Sequence, residues 1–125
     1  MKLLLDTHVL LWAAIDSPRI QSIRPRLLAA ENEVYFSVAS LWEVAIKTSL
    51  GKLQADAVAI REAALDNGFV ELPIWGPHAL RVGSLPWHHR DPFDRLLVAQ
   101  AAAEPMWLLT ADEKLLAYGG TVELI

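Results

Sequence analysis

Apolar and polar positions alternate along the chain in short blocks, and the period changes from one block to the next. Lys2-Leu3-Leu4-Leu5 is a brief apolar run that stops at Asp6, the pattern of a buried strand. The run from Val9 to Ile15 is the longest without a polar residue and predicts a helix from about Thr7 to Ala14. Ser17-Pro18 punctuates the chain, and a second helix is expected over Ile20 to Glu31, with Pro25 in its first turn or dividing it. Val34-Tyr35-Phe36 has the β-branched and aromatic content of a strand. Ser37 then caps a helix that runs to about Leu50 and closes at Gly51. A helix over Asp56 to Asn67, with Gly68 as its stop, precedes a short strand from Phe69 to Leu72. Pro73 to Pro86 carries the weakest signal, with a short helix near His78 to Val82. From Asp91 the pattern sharpens into a helix over Pro92 to Ala103, a strand over Met106 to Leu109, a short helix over Ala111 to Tyr118 and a last strand, Val122 to Leu124.

Strand–helix alternation with few hairpin signals predicts an α/β fold with a central parallel sheet flanked by helices. With 125 residues and no linker, repeat or low-complexity segment, one domain over residues 1–125 is expected. Apolar residues make up 54% of the chain, yet no run approaches the roughly 18 that a membrane helix needs. Asp6 interrupts the first apolar stretch too early for a signal peptide, so no membrane association is expected, and a cytoplasmic protein is. The apolar surplus predicts a surface buried against a partner. The absence of cysteine excludes disulfide scaffolds and thiolate zinc sites. A net charge of −4 does not favour nucleic acid by itself. If four of the fifteen acids serve metal ions, however, the remaining surface is close to neutral, and Lys47, Lys52, Arg81, Arg90 and Arg95 can form a basic rim.

Ligands of an open α/β sheet bind beyond the carboxyl ends of its strands. Asp6 ends the first strand, Asp112 follows the Leu108-Leu109 strand, Asp94 opens the helix after Asp91-Pro92, and Glu43 lies in the helix after the second strand. Each also has a structural reading. Asp6 can cap the first helix, and Asp91-Pro92-Phe93-Asp94 has the form of an N-cap, a proline at N1 and an acid at N3. Thr110-Ala111-Asp112-Glu113 has the form of a capping box, and Glu43 can pair with Lys47 one turn on. The shared edge is what points to chemistry. Clustered carboxylates repel one another and call for a cation, and hard oxygen donors suit Mg²⁺ or Mn²⁺ better than Zn²⁺. Two such ions about 4 Å apart activate water and stabilise the leaving oxygen of an in-line displacement at phosphorus. His89 can contact phosphate or sit with His88 in a solvated loop. The tryptophans, Trp12, Trp42, Trp75, Trp87 and Trp107, read as core or interface anchors, with Trp87 the one placed to stack on a base.

Four stretches together resemble the PIN-domain family, specifically the VapC-type toxins of bacterial toxin–antitoxin pairs. They are Leu3-Leu4-Leu5-Asp6-Thr7-His8 with Leu10-Leu11-Trp12, Ser37-Val38-Ala39-Ser40-Leu41-Trp42-Glu43 with Lys47 and Gly51-Lys52-Leu53, His89 through Ala101, and Leu109-Thr110-Ala111-Asp112. The resemblance implies a PIN-like fold and Mg²⁺- or Mn²⁺-dependent endoribonuclease activity. By position, Asp6, Glu43, Asp94 and Asp112 match the acidic quartet that holds metal and carries catalysis. Thr110, Asp91 and Ser40 fall in supporting places, and Arg90, His89 and Lys47 are candidate contacts to substrate. It further implies a homodimer and a cognate antitoxin that lays a helix or tail across the site. A haloacid-dehalogenase-like phosphotransferase would need a second acid where this chain has His8. A receiver-like domain would need an acidic pair after the first strand. A non-catalytic PIN-fold module that binds RNA or protein is the remaining alternative.

Overall fold

A computed structural model describes residues 1–125. Five strands form one parallel sheet in the order β3-β2-β1-β4-β5, built from β1 (Lys2–Leu5), β2 (Glu33–Ser37), β3 (Val70–Leu72), β4 (Trp107–Thr110) and β5 (Val122–Leu124). The helices are α1 (Thr7–Ala14), α2 (Arg24–Leu28), α3 (Val38–Ser49), α4 (Ala57–Asp66), α5 (Gly76–Val82) and α6 (Pro92–Ala103). Helices cover both faces, so β1 at the centre is apolar on each side. Leu3 and Leu5 join Val9, Leu10, Phe36, Val44, Ile60 and Leu109 in one core. Leu4 joins Ala39, Leu97, Val98, Ala101 and Leu108 in the other. Successive side chains of a strand point to opposite faces, and this is why an uninterrupted Leu-Leu-Leu run serves here where an amphipathic strand would not.

The chain builds β1, β2 and β3 outward in one direction, then returns to place β4 on the other side of β1. The switch point where ligands bind such sheets therefore lies between β1 and β4. α3 contacts α1, α4 and α6, so it ties together helices of both layers. Its start is fixed by Ser37, whose hydroxyl accepts from Ala39 N–H and donates to Gln100 Oε1 of α6 at 2.6 Å. Gly51 and Gly68, at φ +71° and +82°, end α3 and α4 in the left-handed region that side chains disfavour.

The predicted helix over Ile20 to Glu31 is divided, into a 3-10 turn at Pro18–Ile20 and the short α2. Pro25 sits in the first turn of α2, where its missing N–H costs no helical bond, and it cannot continue a helix from upstream. The segment after β4 is a 3-10 helix, Glu113–Tyr118, capped by Asp112, so the capping-box reading with Thr110 as cap does not hold. Thr110 is the last residue of β4. Most of the tryptophans are not core residues. Trp42, Trp75 and Trp87 are more than half exposed and Trp107 is exposed; Trp75 and Trp87 lie outside the helices and strands. No helix is long and apolar enough to cross a membrane.

Candidate metal centre

Asp6 leaves β1 at the switch point and is buried. Its Oδ1 accepts from Val9 N–H at 2.8 Å, so it caps α1, and its Oδ2 accepts from the Thr110 hydroxyl at 2.5 Å across the β1–β4 boundary. Capping and site membership are thus not alternatives. Burial pushes the Asp6 carboxyl above the ordinary range. The bonds from Thr110 and Val9 and the charge of His8 oppose that rise, and the charge of Glu43 adds to it. Thr110 Oγ1 also accepts from Asp112 N–H at 3.0 Å, so one hydroxyl links the first acid to the backbone of the last.

Glu43 projects from α3 and is equally buried. Thr7 Oγ1 lies 2.7 Å from its Oε1 and 3.0 Å from Ser40 Oγ. With a single proton, Thr7 donates to the carboxylate and accepts from Ser40. Lys47 Nζ donates to Glu43 Oε2 at 2.6 Å. That bond to Glu43 is the main reason the Lys47 ammonium titrates above its ordinary value, and the charges of Asp91 and Asp94 add to the effect.

Asp94 stands in the first turn of α6, after Asp91, whose Oδ1 accepts from the N–H groups of Phe93 and Asp94 at 2.9 and 3.0 Å. The Asp94 carboxyl accepts no hydrogen bond; its nearest donor is His89 Nε2 at 3.5 Å. Its pKa is pushed up to about 7, by burial first and then by the negative charges of Asp91 and Glu43, with a smaller contribution from Asp6, while His89 opposes the rise. Asp112 accepts from Lys114 N–H through Oδ1 and from His89 Nε2 at 3.1 Å through Oδ2. One ligand atom each of His89, Asp94 and Asp112 lies within 4.8 Å of the others.

The structure therefore brings Asp6, Glu43, Asp94, Asp112 and Asp91 into one electrostatic neighbourhood, with Thr110 and Ser40 beneath them. Lys47 lies against Glu43 and His89 between two of the acids. Arg90 is exposed and stands apart from the hydrogen-bonded cluster. Sequence reasoning missed Thr7, whose position beside Asp6 at a helix start reads as capping and gives no sign that its hydroxyl faces α3. The donor set is oxygen-rich and short of positive charge, and the least compensated member, Asp94, is also the one most reluctant to ionise. That combination fits a hard divalent cation.

A model of the PIN domain matches residues 3–120. Among solved structures, VapBC2 from Rickettsia felis bound to a promoter DNA fragment aligns with a TM-score of 0.74 at 19% identity, covering 99% of this chain and 98% of that one. DNA-bound VapBC from Salmonella typhimurium aligns at 0.72 and 17% identity, over 99% and 98% of the two chains. VapBC-5 from Mycobacterium tuberculosis, described as a member of the VapBC family of toxin–antitoxin systems, aligns at 0.61 and 24% identity, over 99% and 97%. No curated protein sequence gives a significant match.

Proposed function

The chain belongs to the PIN-domain family, and on that premise we propose that it is a Mg²⁺- or Mn²⁺-dependent endoribonuclease, the cytoplasmic toxin of a toxin–antitoxin pair. The observation that carries this reading is Asp94: a mostly buried carboxyl that accepts no hydrogen bond and lies in the field of three other acids. A group so placed gains most from a divalent cation. Asp6, Asp94, Asp112 and Glu43 would hold the metal, which when bound supplies a nucleophilic water and charge stabilisation at the phosphate.

The chain's own residues set the rest. Thr110 and Val9 N–H leave Asp6 little freedom to turn, so its carboxylate meets a cation without reorganising. Thr7 and Lys47 hold both oxygens of Glu43 in the same way. Lys47 also lowers the negative charge that an RNA phosphate must approach.

An apolar hollow of about 460 Å³ between α1 and α4, lined by Leu11, Trp12, Ile15, Ala59 and Ile60 among others, supports an antitoxin partner. It shares His8, Leu11 and Leu53 with a second hollow of about 140 Å³ that reaches Glu43 and Lys47. A partner segment with apolar residues along one side and a cation at its end would span both. The exposed tryptophans supply surface for a homodimer. Incubation of the purified protein with total RNA tests the enzymatic reading: cleavage with Mg²⁺ or Mn²⁺, none after chelation, and a loss of at least about a hundredfold in Asp6→Asn. Cleavage that survives chelation would refute it.

A further inference from the structure

The stretch between α5 and α6 has no regular structure, yet one buried side chain grips it along its length. Arg95 reaches back from α6 with Nη1 donating to Pro86 O at 2.9 Å and to the Tyr118 hydroxyl at 3.0 Å. Its Nη2 donates to Val82 O at 3.1 Å and Leu85 O at 3.4 Å. The guanidinium carbon lies 3.8 Å from the centroid of the Trp87 ring. Arg95 is 3% exposed, and no carboxylate pairs with it. A buried cation held only by neutral acceptors and a ring contributes shape more than charge pairing. A planar fork can bind several carbonyls of one curved segment, and an ammonium cannot.

The grip extends to the carboxylate cluster. The Tyr118 hydroxyl that accepts from Arg95 also accepts from His89 N–H at 3.2 Å. The His89 ring is fixed from its other side, where Nδ1 accepts from Asp91 N–H at 3.0 Å. Nδ1 therefore carries the lone pair, and the proton of the neutral ring sits on Nε2. That N–H points at Asp112 Oδ2, with Asp94 Oδ2 beyond it. The close spacing of these groups invites a reading of His89 as a metal ligand. The tautomer opposes it, since a metal bond at Nε2 would drive the proton onto Nδ1, against the Asp91 amide.

We propose that Arg95 is a positioning residue: it clamps the Val82–His89 segment so that His89 stays outside the metal's ligand set and offers its Nε2–H to a phosphate oxygen of the RNA. This rests on the ribonuclease reading of the site. Without substrate, the same N–H bonds Asp112.

The test uses the full chain, with ¹⁵N-labelled histidine. Long-range ¹H–¹⁵N correlation of the metal-free protein should show His89 protonated at Nε2 and bare at Nδ1. By calorimetry, Mn²⁺ affinity should agree within about twofold between the parent and His89→Ala. The affinity of inorganic phosphate for the Mn²⁺-loaded protein should fall about tenfold in that variant, as expected for loss of one hydrogen bond to a charged oxygen. KM for a single-stranded RNA should rise by a similar factor. Arg95→Lys should lose phosphate affinity to the same extent and average the two His89 tautomers. If Arg95→Lys fails to fold, Tyr118→Phe removes the shared hydroxyl alone and should give the same pattern more weakly. An Nδ1–H tautomer, a tenfold loss of Mn²⁺ affinity in His89→Ala, or unaltered phosphate affinity would each overturn the proposal. If the parent protein leaves RNA uncut, the ribonuclease reading falls instead, and the tautomer and Mn²⁺ measurements still decide whether the clamp operates.

Discussion

Replacing Asp94 with asparagine should make the metal-free protein more stable, and more so as the pH rises. The native fold raises the Asp94 pKa from 3.8 to about 7. Between those values the native state binds a proton that the unfolded chain has released, so this residue's contribution to stability is complete below about pH 4 and is lost as pH rises through about 7. At 1.36 kcal/mol per pKa unit, the full effect has a ceiling of about 4 kcal/mol. The side chain is 22% exposed, and solvent screening brings the expected cost of ionisation nearer to about 2 kcal/mol. Asparagine keeps the shape and never ionises. Urea unfolding with a chelator present should therefore show Asp94→Asn ahead of the parent by about 2 kcal/mol near pH 8, with the gap shrinking by about half near pH 4.5. Adding Mg²⁺ near pH 8 should reverse the order, because an ion stabilises the native protein in proportion to its affinity, and the variant has lost a charged ligand. A stability gap that ignores pH, or a variant less stable than the parent in chelator, would refute the account of Asp94 as a carboxylate whose charge the apo fold resists.

Thr110→Val removes the hydroxyl shared by Asp6 and the Asp112 backbone, and RNA cleavage should fall at least about tenfold while urea unfolding shows a loss of only about 1–2 kcal/mol. Lys47→Met leaves a buried Glu43 without its cation, so the metal-free protein should lose about 1–2 kcal/mol and recover part of it in Mg²⁺, as thermal scans with and without the ion would show. Leu4→Ala opens a cavity beneath α6 at a fully buried side chain, and denaturant unfolding should register a loss of about 2–5 kcal/mol.

Local signals carried much of the architecture. Ser37, Asp56 and Asp91 are helix caps in the structure because their short oxygens satisfy the first free N–H groups, a rule that acts over three or four residues. Pro25 and Gly51 act equally locally. Three of the acids were legible by place, since Asp6 and Asp112 follow strand ends and Glu43 sits on the helix after one, while Asp94 showed itself through the Asp91-Pro92-Phe93-Asp94 helix start. Their hydrogen bonds were not legible, since Thr7 to Glu43 and Thr110 to Asp6 join segments whose facing depends on how α3 and β4 pack against β1. Arg95 gave no local sign of its role either. An arginine at that place on α6 reads as solvated, and only the path of the preceding loop turns it inward. The exposure of Trp42 and Trp87 was equally hidden, because aromatic residues are bulky and apolar whether their surface meets the core or a partner.

The link between Asp6 and Thr110 spans 104 residues of sequence, and it has a consequence for the order in which a ribosome delivers the chain. When β1, β2 and β3 have emerged, half of the sheet can pair, but one edge of β1 still waits for β4, the strand that ends in Thr110 and leads into Asp112. Until that strand docks, Asp6 lacks its hydroxyl partner and Asp112 has not reached its place beside it. A copy in which β4 has not yet docked therefore carries no assembled centre, and the site comes into being only when that strand pairs with β1. For a protein proposed to cut RNA, such an arrangement keeps a copy without a docked β4 inert and leaves a partner made alongside it time to arrive.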